Sequence, residues 1–429
     1  MDKKVTRVLF FVTSYHSTNG YSYVGYEIAK QLAKRSDIKL TIYGFQRFHN
    51  LPGHRTDYPE NVYEYDAFGN ENPKQQGFGF GQVKEFVTLN KPDVCIVYND
   101  MIILRGVISQ LLEVPNRNFK IIAYLDQVYL CQKKEFIEYI NNTCDVAMMF
   151  TPYWEKIALG LGIKLPSCYL QHGFSKTAHY PIPKELARKY FNLSMDDFIV
   201  MNLNRNQPRK RWDVCMQAIA LVVKRMPDSN IKLLISAQVQ GAWNLLEVYE
   251  RELQKHGLTL ADGMKHLIIM ENPQNQNDDD ILFMYNVCDV GINTCDGEGF
   301  GLCNFQQAAI GIPQIVPFVG GFRDFFNEEN SIVITPKLSY YVDTSRDAVG
   351  GEAELCDYRD FAEGIIRYYN DRDLMKRHGE NARDKITKEY AWEDLCNKLC
   401  DIIHNTVGNG ECSTALLTPM DEDEKISVK

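Results

Sequence analysis

The sequence predicts an α/β protein built from two doubly wound domains. Short apolar runs alternate with amphipathic stretches along most of the chain, as expected for parallel strands that helices cover on both faces. The alternation stops at a polar connector, residues 181–197, and then starts again. The 429 residues suffice for two domains of about 200 residues each. We expect the two domains to face each other across a cleft.

The first half of the chain predicts one domain over residues 1–180. Continuous apolar runs predict its strands at 7–15, 39–45, 93–100, 119–126, 145–151 and 167–175, the last one ending in a glycine turn. Between the first two runs, residues 24–35 place Val24, Ile28 and Leu32 on one face of a helix. This order of elements indicates a parallel sheet.

A second domain is predicted over residues 198–385. Its strands are predicted at 198–204, 231–238, 266–271, 289–294 and 313–318, with a helix at 212–226. Residues 337–356 show no clear periodicity and are predicted to form an inserted loop. A final helix is expected at 386–407, followed by a polar, acidic tail at 408–429 that we expect to be disordered.

Composition and charge exclude some classes of function. The net charge of −9 argues against non-specific nucleic-acid binding, which requires a basic face. The twelve cysteines include no C-x-x-C pair, which indicates reduced thiols in a cytoplasmic protein. The apolar run at 8–12 is too short for a signal peptide, and no stretch approaches the ~18 apolar residues of a membrane span. We therefore expect a cytoplasmic chain without a transmembrane segment, and peripheral association with a membrane stays open.

Residues that follow predicted strands are the first candidates for a binding site. In an open parallel sheet, ligands bind beyond the carboxyl ends of the strands. These candidates are Gly20, Asn99, Asp100, Asp126, the segment 171–173 with His172, Arg205 and Glu298.

The most polar segment after a predicted strand is NRNQPRKRWD, residues 204–213. Arg205 and Lys210 flank a short loop that leads into a helix. Fixed cations beside a helix N-terminus suit a diphosphate, because full and partial positive charges then point at the same anion. The alternative is a solvated cluster formed by Arg205, Arg209, Lys210 and Arg211.

A second segment, DGEGFGLCNFQQAAIGIP at 296–313, also leads from a predicted strand into the N-terminus of a helix. Gly299 and Gly301 would let the backbone approach a ligand, and the following helix points N–H groups at negative charge. Glu298 is placed to accept hydrogen bonds from sugar hydroxyls, and Gln306, two turns into the helix, to reach ribose. The alternative is an ordinary turn with a solvent-exposed glutamate.

Two further motifs are not expected to bind ligands. GFGFG at 77–81 resembles a dinucleotide fingerprint but does not follow a strand. The acidic run at 278–280 resembles a metal site, but it precedes an apolar helical stretch, where acidic residues favour the helix dipole. Because no other acidic pair suggests a metal, we expect no metal site.

Taken together, these motifs resemble those of the retaining, nucleotide-sugar-dependent glycosyltransferases of family four, the glycosyl transferases group 1. EGFGLCNFQ (298–306) matches the family signature E-F/G-F-G-L-x-x-x-E, and the small-residue run after it matches the family's continuation. YNVCDVGIN (285–293) matches the preceding element, and Arg205 and Lys210 match an arginine-x4-lysine pair. The match covers the second domain well. In the first domain it is weaker and rests on the order of elements and one glycine.

The resemblance implies the GT-B fold, in which two Rossmann-like domains face across a cleft and a closing helix, here including YAWEDLCNKL at 390–399, crosses back to the first domain. It implies transfer of a hexose from a nucleoside-diphosphate sugar to a hydroxyl of a glycan, protein or lipid-linked acceptor, with retention of configuration and without a metal or cofactor. The catalytic candidates are Arg205, Lys210, Glu298 and Asp126. The donor-binding candidates are Gly20, Gly299, Phe300, Gly301, Leu302 and Gln306. The acceptor-side candidates are Asn99, Asp100 and His172.

Two departures from the family pattern keep other functions open. The second family glutamate, which holds ribose hydroxyls, is Gln306 here, and an amide can still donate and accept hydrogen bonds. The family's His-Asp pair of the first domain is replaced by Leu125 and Asp126. The alternatives are a catalytically silent GT-B protein that binds nucleotide sugar or glycan, and an epimerase that acts on the nucleotide sugar.

Overall fold

The computed structural model describes residues 5–48, 55, 57–69, 71, 76–270 and 276–408. These residues form two compact units. The first contains the described residues up to Gly173 together with those from Tyr390 onward, and the second is Phe174–Glu389. Helices and strands are numbered in chain order.

The first unit is built on a parallel sheet. Its strands, among the described residues, are β1 Thr6–Thr13, β2 Ile38–Phe45, β3 Tyr63–Asp66, β4 Val94–Asp100, β5 Lys120–Asp126, β6 Val146–Met149 and β7 Ser167–Tyr169. They lie in the order β3-β2-β1-β4-β5-β6-β7. Its helices are α1 Gly20–Leu32, α2 Val83–Asn90, α3 Met101–Leu112, α4 Lys134–Thr143, α5 Pro152–Gly160 and the last helix of the chain, α15 Trp392–Val407.

Local sequence explains the first strand and helix of this unit. β1 is buried at every position but one, and its residues 8–12 form a continuous apolar run, as expected for a strand covered on both faces. The side chain of Asn19 caps α1 by accepting a hydrogen bond from the N–H of Ser22 at 2.9 Å. The predicted stripe of Val24, Ile28 and Leu32 is buried. The helix packs against α15.

The second unit also contains a parallel sheet. Its strands, within the described residues, are β8 Phe198–Asn202, β9 Ile231–Ile235, β10 Leu267–Ile269, β11 Val290–Ile292, β12 Gln314–Pro317 and β13 Ile332–Ile334. They lie in the order β10-β9-β8-β11-β12-β13. Its helices are α6 Lys184–Tyr190, α7 Trp212–Arg225, α8 Leu245–Lys255, α9 Leu260–Met264, α10 Asp278–Val287, α11 Leu302–Ala309, α12 Phe322–Phe325, α13 Tyr358–Asn370 and α14 Arg372–Glu389.

Both sheets have the strand order that creates a crevice at their carboxyl ends. In the first unit β1 lies between β2 and β4, and in the second unit β8 lies between β9 and β11. Chain connections run in opposite directions from such a central pair of strands, and ligands bind where they separate. The loops after β8 and β11 carry Arg205, Lys210 and Glu298. The topology therefore brings the predicted residues of the second domain to one place.

The segment 337–356 departs from the prediction of an inserted loop. It contains an antiparallel hairpin of β14 Leu338–Val342 and β15 Gly351–Leu355. Most residues of β14 are exposed. Its sequence therefore lacks the alternation of apolar and polar residues that predicts a strand. The strands β3 and β13 are also missing from the prediction. No residue of β3 is buried, and β13 has only three residues.

The α/β fold class with two parallel-sheet units is confirmed. The predicted acidic tail at 408–429 lies outside the described residues after Gly408. Among the helices of the described ranges, none combines the length and the apolar composition that crossing a bilayer requires.

Candidate functional site

The cationic loop after β8 is an ordered structure. It ends in a 3-10 turn, Pro208–Lys210, and Arg211 then adopts a left-handed backbone with φ of 47° at the start of α7. Such a conformation is unfavourable for a residue with a Cβ. The side chains of Arg209 and Lys210 are only 17% and 12% exposed. The alternative of a solvated cluster is therefore wrong for these two residues, whereas Arg205 is exposed.

Glu298 is the centre of the site in the second unit. Its carboxylate is buried, the Lys210 ammonium contacts one oxygen, and Arg209 Nη1 donates to the other at 3.2 Å. Arg209 Nη1 also donates to the carbonyl of Gly297 at 2.9 Å. The structure thus brings two predicted residues, Lys210 and Glu298, into direct contact. The alternative of a solvent-exposed glutamate is wrong.

The two cations determine the protonation of Glu298. Burial by itself raises the pKa of a carboxyl group, but the charges of Lys210 and Arg209 outweigh it and lower the pKa of Glu298 to about 2. The carboxylate is therefore ionised at physiological pH. It can accept hydrogen bonds but has no proton to donate.

The glycine turn before α11 is shaped for close packing. Gly301 has a φ of 91°, and a Cβ at this position would overlap the ring of Phe322, so only glycine fits. Phe300 is buried against Phe305 and Phe325, with ring centroids 5.0 and 5.1 Å away. Its side chain is part of the core, so contact with a ligand would come from its backbone. Leu302 is the first residue of α11 and is half-buried.

Gln306 is buried on α11 and is tied to a second element. The hydroxyl of Tyr285, on α10, donates to its Oε1 at 2.8 Å. This bond fixes the orientation of the amide, with the oxygen toward Tyr285. Gln306 is therefore not an ordinary solvated helix residue, and its NH₂ group and the second acceptor position of its oxygen remain for a ligand.

In the first unit, Asp126 and Gly20 are linked through a residue that sequence reasoning missed. Asp126 ends β5, and the hydroxyl of Tyr21, next to Gly20 at the start of α1, donates to its Oδ2. Burial and the nearby Asp126 charge raise the pKa of Tyr21 well above its ordinary value. The phenol therefore keeps its proton for this bond. The position of Tyr21 directly after Gly20 was the available signal.

Asn99 and Asp100 have local structural partners. Asp100 caps α3 by accepting from the N–H groups of Ile102 at 2.9 Å and Ile103 at 3.0 Å. The side chain of Asn99 accepts from the N–H of Asp100 at 3.0 Å. Both residues lie at the carboxyl end of β4, as predicted. The hydrogen bonds explain why polar side chains stand there even when no ligand is bound.

His172 lies in an aromatic cluster of the first unit. Its ring is 4.6 Å from that of Phe150, and its Nε2 is 3.3 Å from the hydroxyl of Tyr98. Burial lowers the pKa of His172 to about 3. The imidazole is therefore neutral at physiological pH and does not supply positive charge.

The acidic run at 278–280 begins a helix, as predicted. The side chain of Asn277 caps α10 by accepting from the N–H of Asp280 at 2.8 Å, and the three carboxylates occupy the first turn, where they favour the helix dipole. In the part of the chain that the structure describes, no group of three His, Cys, Asp or Glu residues has the arrangement of a metal site.

The sequence of the second unit matches a known family. Residues 183–385 match glycosyl transferases group 1. The chain is similar to a D-inositol 3-phosphate glycosyltransferase of Thermobispora bispora, with 27% identity over 143 residues, 33% of this chain and 32% of the relative. It is also similar to the capsular polysaccharide biosynthesis glycosyltransferase CapM of Staphylococcus aureus, with 22% identity over 218 residues, 49% of this chain and 48% of CapM. The matches thus span from about a third to about half of these curated relatives.

Solved structures show the same fold over nearly the whole chain. Sucrose-phosphate synthase from Thermosynechococcus elongatus has a TM-score of 0.72 at 15% identity, covering 94% of this chain and 100% of that one. Anabaena HepE, solved in complex with UDP and glucose, has a TM-score of 0.67 at 14% identity, covering 93% and 100%. The GT-B fold expected from the motifs is confirmed.

Proposed function

We propose that this chain, which has the GT-B fold and carries a group 1 glycosyltransferase domain at residues 183–385, transfers a hexose from a nucleoside-diphosphate sugar to a hydroxyl group. The proposal includes retention of configuration and independence of divalent metals, both of which come from the family resemblance. The observation that carries it is the buried Glu298 carboxylate between Lys210 and Arg209. We call Arg205, Arg209, Lys210, Glu298, Gln306 and the N-terminus of α11 the donor site.

The donor site carries an excess of positive charge in an acidic chain. Arg209 and Lys210 pair with the single carboxylate of Glu298. The neighbouring set of Arg211, Arg346, Asp213 and Asp296 is neutral. One positive charge is left over, whereas the whole chain has a net charge of −9. The partial positive charge at the N-terminus of α11 adds to this excess. Such a site favours an anion with several oxygens, as in a diphosphate.

The residues of the donor site have complementary roles in the proposed reaction. Lys210, Arg209 and Arg205 stabilise the negative charge that develops on the diphosphate as its bond to the sugar breaks. The N–H groups at the start of α11 act on the same charge, and Gly299 and Gly301 allow them to approach it. Together these groups supply the positive charge that other transferases obtain from a divalent metal.

The remaining assignments concern the sugar and the acceptor. Ionised Glu298 accepts hydrogen bonds from hydroxyls of the donor sugar, and Gln306 contacts the ribose. In the first unit we assign Gly20 to donor binding and Asp126 to the reacting groups, with Tyr21 holding the carboxylate in place. Asn99, Asp100 and His172 stay acceptor-side candidates. We expect Asn99 and Asp100 to act mainly through the backbone geometry that they fix.

The relatives support this class of substrates. HepE was solved with UDP and glucose, and the curated relatives are named as glycosyltransferases that act on inositol phosphate or build capsular polysaccharide. We propose a nucleoside-diphosphate hexose as donor, a glycan, protein or lipid-linked hydroxyl as acceptor, and the cytoplasm as the location. A screen of UDP-, GDP- and ADP-sugars by thermal shift identifies the donor, because a ligand at 100 times its dissociation constant adds about 2.7 kcal/mol to folding stability.

The Lys210→Ala variant tests the proposed function. Turnover should fall by roughly 10²–10³-fold, the effect of removing one group that stabilises transition-state charge. Lys232→Ala is the matched control, because Lys232 forms a 3.0 Å ion pair with Asp197 elsewhere in the same unit. A folded Lys210→Ala variant with wild-type turnover would refute the assignment.

The second candidate function is a catalytically silent protein that binds nucleotide sugar. The amide of Gln306, at the position of the family glutamate, favours it, because a neutral amide binds ribose hydroxyls less strongly than a carboxylate and Tyr285 already takes one of the two acceptor positions of its oxygen. Wild-type protein that binds a nucleotide sugar but neither hydrolyses nor transfers it would establish this alternative.

A further inference from the structure

The hairpin β14–β15 is tied to the donor site through one buried carboxylate. Asp296 lies two residues before Glu298, and its side chain is fully buried. Its Oδ2 accepts hydrogen bonds from Arg346 Nη2 at 2.6 Å and from the Tyr340 hydroxyl, both in the segment that forms the hairpin. Arg211 Nη1 lies 3.5 Å from the same oxygen.

Arg346 also reaches the loop that carries the cations. Its Nη2 donates to the carbonyl of Pro208 at 3.0 Å as well as to Asp296. Backbone bonds link the same segments, because the N–H of Asp296 donates to the carbonyl of Arg209 at 3.1 Å and the N–H of Glu354 donates to the carbonyl of Asp296 at 2.9 Å. One guanidinium thus joins the loop before α7, the loop before α11 and the hairpin.

The position of these anchors makes them relevant to the ion pair of the donor site. Lys210 follows Pro208 by two residues, and Glu298 follows Asp296 by two residues. A buried carboxylate that loses a charged donor tends to rearrange, because an unpaired buried charge is costly. Loss of Arg346 would therefore shift both loops at the point where Lys210 and Glu298 meet.

We propose that Arg346 is a positioning residue for diphosphate binding, which holds Pro208 and Asp296 in place so that Lys210 and Arg209 present their charges to the two phosphates. This inference rests on the proposed function, since it presupposes a nucleoside diphosphate at the donor site. It predicts that the phosphate contacts of a nucleotide depend on Arg346 and that the contacts of its base and ribose do not.

The experiment measures the binding of UDP and of uridine to the full chain by calorimetry. Whichever of the two binds more weakly is measured by competition against the other. If GDP or ADP gives the larger thermal shift with wild-type protein, GDP with guanosine or ADP with adenosine takes the place of this pair. In Arg346→Gln, UDP affinity should fall by about tenfold or more, the loss expected when one hydrogen bond between a charged side chain and a phosphate is no longer made. Uridine affinity should stay within about twofold, because no phosphate is involved.

Two further variants separate the possible reasons for failure. Lys210→Ala should also weaken UDP selectively, and Arg359→Gln should bind both ligands as the wild type does, because Arg359 pairs with Asp357 at the exposed start of α13. If Lys210→Ala weakens UDP but Arg346→Gln does not, the positioning role of Arg346 is wrong and the proposed function stands. If neither variant weakens UDP, the diphosphate site itself is wrong.

A general structural role for Arg346 makes a different prediction. Equal losses of UDP and uridine affinity in Arg346→Gln would overturn the proposal, because they would indicate that the whole site is disturbed. If Arg346→Gln does not fold, Tyr340→Phe replaces it. This variant removes one donor to Asp296 and keeps the ring, and a smaller loss that is still confined to UDP is the result expected.

Discussion

The substitution Glu298→Gln tests the electrostatics of the donor site, because it removes one negative charge and changes little volume. In the wild type, Lys210 and Arg209 share this buried carboxylate. Removing the counter-ion of two largely buried cations costs far more than removing one partner of an exposed pair. We therefore expect the variant to fold with clearly lower stability.

The pKa of Glu298 gives the size of the effect. Folding lowers the pKa of this carboxyl group from 4.5 to about 2. At about 1.4 kcal/mol per pKa unit, the ionised side chain makes the folded state more stable by roughly 3 kcal/mol than a neutral side chain would. For a unit of this size, about 1 kcal/mol shifts the melting temperature by about 2–4 °C, so the variant should melt roughly 6–12 °C lower at pH 7.

The pH dependence of this difference has a definite sign. Because the folded-state pKa of Glu298 is depressed, its contribution is present above pH 4.5 and is lost as the pH falls toward 2. The gap in melting temperature between wild type and Glu298→Gln should therefore narrow below pH 4.5.

The same variant should bind a nucleoside diphosphate more tightly. Without the carboxylate, Lys210 and Arg209 are no longer neutralised and gain more from the phosphates, by about 1 kcal/mol or more. Turnover should nevertheless fall, because Glu298 no longer accepts hydrogen bonds from the donor sugar as an anion. Opposite changes in diphosphate affinity and turnover are specific to this electrostatic role.

Thermal unfolding with and without nucleoside diphosphate, together with calorimetry, measures both effects. Glu354→Gln is the matched control, because Glu354 pairs with Arg323 at 2.7 Å in the same unit but burial raises its pKa. Removing the Glu354 charge should therefore cost little stability. A Glu298→Gln variant that melts within 2 °C of the wild type, by roughly the scale given above, and binds the diphosphate no better would refute the reasoning.

Three other predictions follow from the structure. Gln306→Glu should tighten nucleoside-diphosphate binding by about 1 kcal/mol, because Tyr285 can still donate to one carboxylate oxygen while the other accepts from ribose. Gln306→Leu should weaken binding, and calorimetry showing wild-type affinity for it would contradict the ribose role. Transfer activity should persist in excess EDTA, whereas a loss restored by magnesium or manganese would contradict metal independence and make the run at 278–280 a candidate for the metal ligands again. Burial raises the pKa of Glu64 to about 7 from 4.5, so the wild type should lose up to about 3 kcal/mol of stability as the pH rises from 4.5 through 7. The Glu64→Gln variant should not lose this stability. If both proteins show the same change in melting temperature between pH 5 and pH 8, this account is wrong.

The central part of the fold could be predicted from the sequence because buried parallel strands are continuous apolar runs. β1, β4, β5, β8 and β11 all follow this rule. The hairpin β14–β15 could not be predicted in this way, since its strands pair with each other and expose most of β14. Its sequence therefore lacks both the apolar run and the alternation that identify a strand.

The positions of the site residues could be predicted, but most of their partners could not. The strand-end rule and the family signature placed Lys210 and Glu298 in one region, and the structure shows them in contact. Nothing in the sequence separated Arg209 from its neighbours in the basic run, because which cation is buried depends on the turn at 208–210. The bond from Tyr285 to Gln306 likewise depends on how α10 packs beside α11.

The acidic residues of the DGEG turn show how such contacts decide function. Glu298 shares its single charge between Lys210 and Arg209, so this set has one positive charge in excess. The set around Asp296 is neutral, because Arg211 and Arg346 are balanced by Asp296 and by Asp213, which holds Arg211 through bonds of 2.9 and 2.6 Å. A cation that is already balanced gains little from a phosphate, whereas one that shares its counter-ion gains more. The Glu298 set is therefore the one expected to bind the diphosphate, and the Asp296 set the one expected to hold it in position.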